Sequence, residues 1–415
     1  MRMILRILAF VMLSGLFCCK TNQLTHIKLT DAYNPDADFF RLQCFAYHIN
    51  DSITRVYYRF NTEYLLYSKD LNQTPYKAEF SLHYQLTNSD SPKEISDSAT
   101  ISYSDTLGYG KKIWLLDSFD LKIPFPSKYY LYLRMTDLNR KASNSSGFYL
   151  EKSSHDSRQH FMMRGTDGRP VFTDSWDDMG TFSLHCIQKQ HPRLFVRYYR
   201  RDFPIALPPF VESKPRSLSF APDSVFFIEM NNGRSGDLTF AKAGIYHIQT
   251  DTSDYEGFTV FRFYRDYPLI TSADQMRSPL RYITSKNEFN DLMMMKSAKD
   301  AVDEFWLDKT DNPDRAREMI RKYYNRVAEA NRYFTSYHEG WKTDRGLIYI
   351  IFGPPTLVYR NPGDETWIYG EDRNLLSITF VFDKMDNPFT DNDYALNRSQ
   401  EYKDIWYSTL ETWRN

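Results

Sequence analysis

Asp344, Glu365 and Asp364 are the one set of carboxylates in this 415-residue sequence that invites general acid–base chemistry. Such chemistry needs two carboxyls in different surroundings, so that one keeps its proton while the other gives it up. Other catalytic patterns are missing from the sequence. The nine histidines are scattered, none falls in a His-Glu-x-x-His pair, and His185-Cys186 has no further ligand nearby in the chain. Gly233-Arg234-Ser235-Gly236 lacks the register of a Gly-x-Ser-x-Gly elbow and falls in an expected hairpin. Asp383, Asp386, Asn387, Asp391 and Asp393 form an acidic run without the spacing or closing Glu of an EF-hand, so it reads as a solvated, turn-rich loop. The expectation is a protein without catalytic residues, metal or cofactor, and a hydrolase using the three carboxylates is the minor alternative. A net charge of -1 gives no electrostatic case for nucleic acid.

The other chemically distinctive residue is Cys19. Arg2 and Arg6 precede an apolar run, Ile7 to Phe17, which stops at Cys18-Cys19. A charged start, a short apolar stretch and small residues at a cut make a secretory signal, and the run is shorter than the ~20 residues of a membrane span. It resembles a bacterial lipoprotein signal. That resemblance implies cleavage before Cys19, with Leu16 at minus three and Cys18 at minus one, and lipidation of Cys19 as the new N-terminus. The alternative is an ordinary secreted protein. Lys20, Thr21, Asn22 and Gln23 carry no acidic cluster, so the expected location is the periplasmic face of the outer membrane. Cys44 and Cys186 are the cysteines left after processing; they fall in different expected domains, so no bridge is expected.

The elements that must position these residues are mostly strands. Tyr and Phe, 31 and 30 in number, favour half-buried pleated surfaces. Residues 1–19 are the signal with its lipidation site, and 20–35 are polar and read as a tether. From Tyr76 to Leu86 apolar and polar residues alternate strictly, as they do from Tyr129 to Met135, which predicts an antiparallel β-sandwich over 36–152. A second β-rich domain, also expected to be a small sandwich, covers 158–270. Its signals are a strand at Leu194–Tyr199, a hairpin around Asn231-Asn232-Gly233, and paired strands at Ile245–Thr250 and Phe258–Tyr264.

Over 271–415 the period becomes helical. Ser285 and Glu288 form a capping box, Ser297 caps a short helix, and Asn312-Pro313 opens a helix of about six turns with an apolar stripe from Ala316 to Phe334. Leu347 to Phe352, Thr366 to Tyr369 and Ser377 to Phe382 read as strands. The fold class is multidomain: two antiparallel β-sandwich-like domains, then an α+β domain of helices with a small antiparallel sheet.

Between the long helix and the expected sheet stands Gly340-Trp341-Lys342-Thr343-Asp344-Arg345-Gly346. With Phe352-Gly353-Pro354-Pro355, the preceding Tyr323, Arg326, Ala330, Asn331 and Phe334, and Trp367 and Tyr369 beyond, it resembles the GWxTD domain family, known mainly from Bacteroidota. The resemblance implies an exported protein with β-rich N-terminal regions and brings no activity with it. The residues read physically as a turn. Gly340 ends the helix in a left-handed conformation, and Trp341 covers the helix–sheet seam with an indole N–H that needs a partner. Thr343 and Asp344 accept backbone N–H groups, Arg345 pairs with Asp344 or Glu365, and Gly346 permits close approach. The rival reading gives Trp341 and Arg345 to a peptide or glycan. The function expected is a lipid-anchored, non-catalytic scaffold that meets an envelope protein partner, with carbohydrate or peptidoglycan binding as the alternative.

Overall fold

The computed structural model describes residues 27–30, 33–35, 42–69, 76–89, 91, 94–176, 180–200, 202–212, 219–253, 255–308 and 312–414. Cys19 and the expected export signal lie outside these residues. No helix among the described residues is long and apolar enough to cross a membrane.

The first strand, β1 (Ile27–Thr30), belongs to the last sheet and is taken up there. The sandwich expected at 36–152 is present. One sheet orders β2 (Gln43–Asn50), β3 (Ile53–Asn61) and β6 (Trp114–Lys122); the other orders β5 (Ile95–Asp105), β4 (Ala78–Asn88), β7 (Ser127–Asp137) and β8 (Ala142–Lys152). The alternation in β4 places Ala78, Phe80, Leu82, Tyr84 and Leu86 inside, where they meet Val56, Phe60 and Leu121 of the facing sheet. Phe60 meets Phe80 edge to face with ring centres 5.2 Å apart.

The second β-rich block differs from expectation in sheet count. It is one seven-stranded antiparallel sheet, built from β9 (Phe161–Gly165), β10 (Phe182–Cys186), β11 (Arg193–Tyr199), β12 (Ser224–Asn231), β13 (Arg234–Ser235), β14 (Gly244–Gln249) and β15 (Phe258–Arg262). Its order is β15-β14-β11-β12-β13-β10-β9, and β12 is shared by the two halves. The sheet curls round one core, so that Phe161 of β9 stacks on Phe258 of β15 at 6.0 Å. Asn232 and Gly233 have φ of 49° and 76°, the left-handed pair that a primed two-residue hairpin demands.

The last domain opens with α1 (Ala273–Arg277), α2 (Lys286–Met294), α3 (Ala298–Asp308) and α4 (Pro313–Phe334). Ser285 and Glu288 form the expected capping box, Ser297 accepts the Asp300 N–H at 3.2 Å, and the Asn312 side chain caps α4. The apolar stripe of α4 buries Tyr323, Val327, Ala330 and Phe334 against Trp306, Ile348 and Trp367.

Two expectations fail here. The run Leu347 to Phe352, read as a strand, is the second half of helix α5 (Asp344–Phe352). A run of large apolar residues, buried from Leu347 to Ile351, carries no amphipathic period, so sequence alone does not separate a buried strand from a buried helix. The Thr343 side chain, accepting the Gly346 N–H at 2.9 Å, commits the segment to helix. The sheet instead orders β1, β16 (Leu357–Arg360), β17 (Asp364–Tyr369), β18 (Ile378–Lys384) and β19 (Tyr394–Leu396), with α6 (Tyr402–Arg414) closing the domain. The second failure concerns the tether. Of residues 20–35, Ile27–Thr30 pair antiparallel with Leu357–Arg360 as the edge of this sheet, and Tyr33 is buried in the same core.

Replacing Thr343 by Ala removes the cap of α5 and is expected to cost ~1 kcal/mol, read as a lower denaturant midpoint with unchanged slope. A strand at 347–352 would leave that substitution neutral.

Candidate functional site

The signature segment lies where α4, α5 and the last sheet meet. Gly340 is not left-handed and does not end the long helix, which stops at Phe334. It starts a single 3₁₀ turn, Gly340–Lys342, pressed onto α4. A Cβ on Gly340 would lie 2.1 Å from the Ala330 carbonyl oxygen, and one on Gly346 would lie 2.0 Å from the Gly340 oxygen. The two glycines thus let three backbone segments touch. Asn331 of α4 locks the contact: its side-chain oxygen accepts the Trp341 N–H at 3.1 Å, and its NH2 donates to the Tyr264 hydroxyl at 2.9 Å.

The charged residues of the motif are bound inward. Asp344 accepts from the Arg398 guanidinium at 2.5 Å and from the Leu396 N–H at 2.8 Å. Burial raises its carboxyl above the usual range, and Arg398 opposes that rise. Arg345, almost wholly buried, sits 4.0 Å from the centre of the Tyr394 ring. It donates to the Asn392 carbonyl at 2.9 Å and lies 3.6 Å from Glu365. Of the two partners expected for Arg345, Glu365 is therefore the one it meets.

Glu365 has no exposure. One carboxylate oxygen accepts from the Trp367 indole at 2.7 Å and the Tyr33 hydroxyl at 2.8 Å; the other accepts two guanidinium nitrogens of Arg360, at 2.8 and 2.7 Å. Burial alone would push this carboxyl up, but Arg360 and Arg345 hold it down at about 2. Asp364 sits at the neighbouring turn, accepting from the Asn361 side chain at 2.6 Å. The three carboxylates weighed for acid–base work are each tied to different internal partners. Tyr33, Asn392 and Arg398 complete these pairs from distant segments, with no signal in their local sequence, whereas Arg360 faces Glu365 across the adjoining strand pair.

Trp341 is the exception within the motif. The residue is 5% exposed, and its ring meets Tyr282 edge to face at 5.8 Å. The ring lines a groove of about 490 Å³, shared with Lys342, Glu339, Arg281, Phe289 and Phe203. Lys342 pairs with Glu339 at 2.9 Å.

The histidines, scattered in the chain, partly converge in space. At the junction of the first two domains the His48 and His160 rings lie 4.6 Å apart, and His155 lies 6.0 Å from His160. His48 faces Thr54 and the Glu151 carbonyl, His160 faces Ser157, and His155 meets Asp51; Lys152 lies close by. Burial drives His48 down to about 3 and His160 to about 4. No group of three or more potential metal ligands is found among the described residues. The acidic run is partly internal: Asp393 is half-buried and bonded by Asn387 at 2.7 Å.

Residues 244–415 match the GWxTD domain, so this part of the chain carries one, and the match reaches back to include β14 and β15. No curated protein matches the sequence. Among solved structures, a calcium-binding mutant of Bacteroides uniformis beta-glucuronidase 2 is 11% identical with a TM-score of 0.19, covering 30% of this chain and 14% of that one. A candidate beta-galactosidase from Bacteroides fragilis is 11% identical with a TM-score of 0.19, covering 32% of this chain and 19% of that one. The chain spans less than a fifth of either protein, and at this likeness nothing follows for function.

Two outcomes are expected. Glu365→Gln leaves the buried Arg345 and the partly buried Arg360 without their counter-charge and should cost ~3–5 kcal/mol, seen as early melting of the last domain in calorimetry. Acid should loosen the histidine junction. Both folded pKa values lie below the unfolded value of 6.5, so the stabilisation is complete above pH 6.5 and is lost as pH falls through about 4 and then 3. Each unit of depression is worth ~1.4 kcal/mol, and His160→Gln should flatten the melting-temperature profile between pH 6.5 and 4.

Proposed function

We propose that this chain is a lipid-anchored envelope protein that works without catalysis, as a scaffold presenting a sheet edge to a partner protein. The observation that carries the reading is β5. It is the edge of its sheet, eleven residues long, and nothing among the described residues pairs with its free side. Long open edges are normally blunted by Lys, Pro, bulges or a covering segment. Here one bulge, at Ser96, precedes an uninterrupted run from Asp97 to Asp105 that contains neither Pro nor a cationic residue. Its fixed charges are acidic, so the fitting occupant is an extended, cationic segment added as a further strand.

The anchor reading gains a geometric consequence. Only residues 20–26 lie between Cys19 and β1, and seven extended residues span at most ~25 Å. A lipid on Cys19 therefore holds the GWxTD domain, rather than the first sandwich, beside the membrane. Periplasmic orientation remains the preferred placement, on the lack of acidic residues at positions 20–23.

Crosslinking in intact cells followed by affinity purification tests the scaffold role. The exposed pair Ser98→Lys and Ser102→Lys should keep the protein folded yet lose the partners recovered by wild type; recovery of the same set would overturn strand docking. Labelled palmitate should mark wild type and not Cys19→Ser.

A further inference from the structure

The outer face of the seven-stranded sheet gathers cationic side chains that the fold does not neutralise. Met163, Leu184 and Cys186 point into the core between its two halves. Alternation therefore turns Arg164 of β9, with Ser183 and His185 of β10, to the opposite face. Arg234 of β13 lies directly across from His185, and Arg164 lies across from Ser183, diagonal to His185. Directly opposed residues have Cβ atoms ~5 Å apart and diagonal ones ~7–8 Å, within reach of long side chains. Three strands thus bring two guanidiniums round one imidazole.

No carboxylate among the described residues pairs with them. Arg164 makes one bond, its Nη1 donating to the Gly168 carbonyl at 2.7 Å; its Nε is buried without an acceptor and its Nη2 is unbonded. Asp167, in the turn after β9, is turned onto Arg169, accepting its N–H at 2.9 Å and lying 3.8 Å from its guanidinium. Asp237, three residues beyond Arg234, is exposed and bonds to neither cation. His185 is half-buried, with Nε2 3.5 Å from the Ser183 hydroxyl. Burial, then the charges of Arg164 and Arg234, bring its imidazole down to about 4, and no acid opposes them. Tyr47, from β2 of the first sandwich, comes close enough for the Arg164 charge to act on its phenol, and its hydroxyl is bonded to no described residue.

We infer that this face binds a tetrahedral oxyanion, a phosphate or sulfate group, with Arg164 and Arg234 pairing its oxygens and the His185 ring N–H donating between them. A planar carboxylate is satisfied by the fork of a single guanidinium, whereas donors converging from three strands suit an anion whose oxygens point in several directions. The arriving anion supplies the counter-charge that the sheet itself lacks, and the Tyr47 hydroxyl offers one more donor on the Arg164 side. The site stands apart from the scaffold reading, since the open edge of β5 belongs to a different sheet.

Isothermal titration of the full chain in detergent, near neutral pH and at constant ionic strength, tests this with sulfate, inorganic phosphate and glycerol 3-phosphate, chloride being the reference. Sulfate and phosphate should each bind at one site per chain, at least tenfold tighter than chloride. Arg234→Gln, at an exposed position that leaves the fold intact, should weaken both roughly tenfold, as loss of a hydrogen bond to a charged group does. Arg164→Lys, which keeps the charge and loses the fork, should weaken them severalfold. The edge-blocked Ser98→Lys, Ser102→Lys variant should bind like wild type, which separates this site from strand docking on β5. Glycerol 3-phosphate binding tighter than phosphate would assign the site to an esterified headgroup, and equal or weaker binding to the free ion. Sulfate and phosphate binding no tighter than chloride, or an unchanged Arg234→Gln, would overturn the proposal.

Discussion

One buried carboxylate sets the terms for the last third of this protein. Glu365 sits in the sheet with no access to water, between Arg360 and Arg345, and takes further bonds from Trp367 and Tyr33. Burying three charges is expensive, and the mutual attraction offsets the desolvation only if the remaining donors and acceptors are matched. Here they are matched by groups from four places: the strand itself, the adjacent strand, the motif helix and the N-terminal segment. None can leave without stranding the others, so the network fixes the relation of the signature turn to its sheet.

That relation explains why the motif has the composition it has. Two glycines bring the turn against α4 and α5 at distances no side chain tolerates, and Thr343 and Asp344 then use their oxygens to cap the helix and hold Arg398. Arg398 also donates to the carbonyls of Leu207 and Pro208, tying the proline-broken segment after β11 to the same centre. The middle sheet and the last domain are thereby joined through backbone groups, and the groove beside Trp341 arises at that seam.

Much of the fold was legible because its signals are local. The alternation of β4, the Asn-Gly turn after β12, the Ser285 capping box and the Asn312-Pro313 start each follow from a few consecutive residues, and each stands where it was expected. The candidate site was legible in part. Pairing of Arg345 with Glu365 was one of two options, but the left-handed role given to Gly340 and the strand given to Leu347–Phe352 were not what the chain adopts. The strand error arises because a wholly buried segment shows no polar face from which to read its period, and the Gly340 error because the long helix already stops at Phe334.

The sequence alone determined the antiparallel β character of the first two thirds and the GWxTD signature, because spacing, turn chemistry and caps act between near neighbours. Tertiary structure decided the rest. It took residues 27–33 from an expected tether into the last sheet and core, and it brought His48 beside His160 across 112 positions of chain. It also settled which guanidinium meets which carboxylate. Charge pairing and edge pairing are long-range choices made by whichever partner desolvation leaves within reach, and no local pattern in the chain records that outcome.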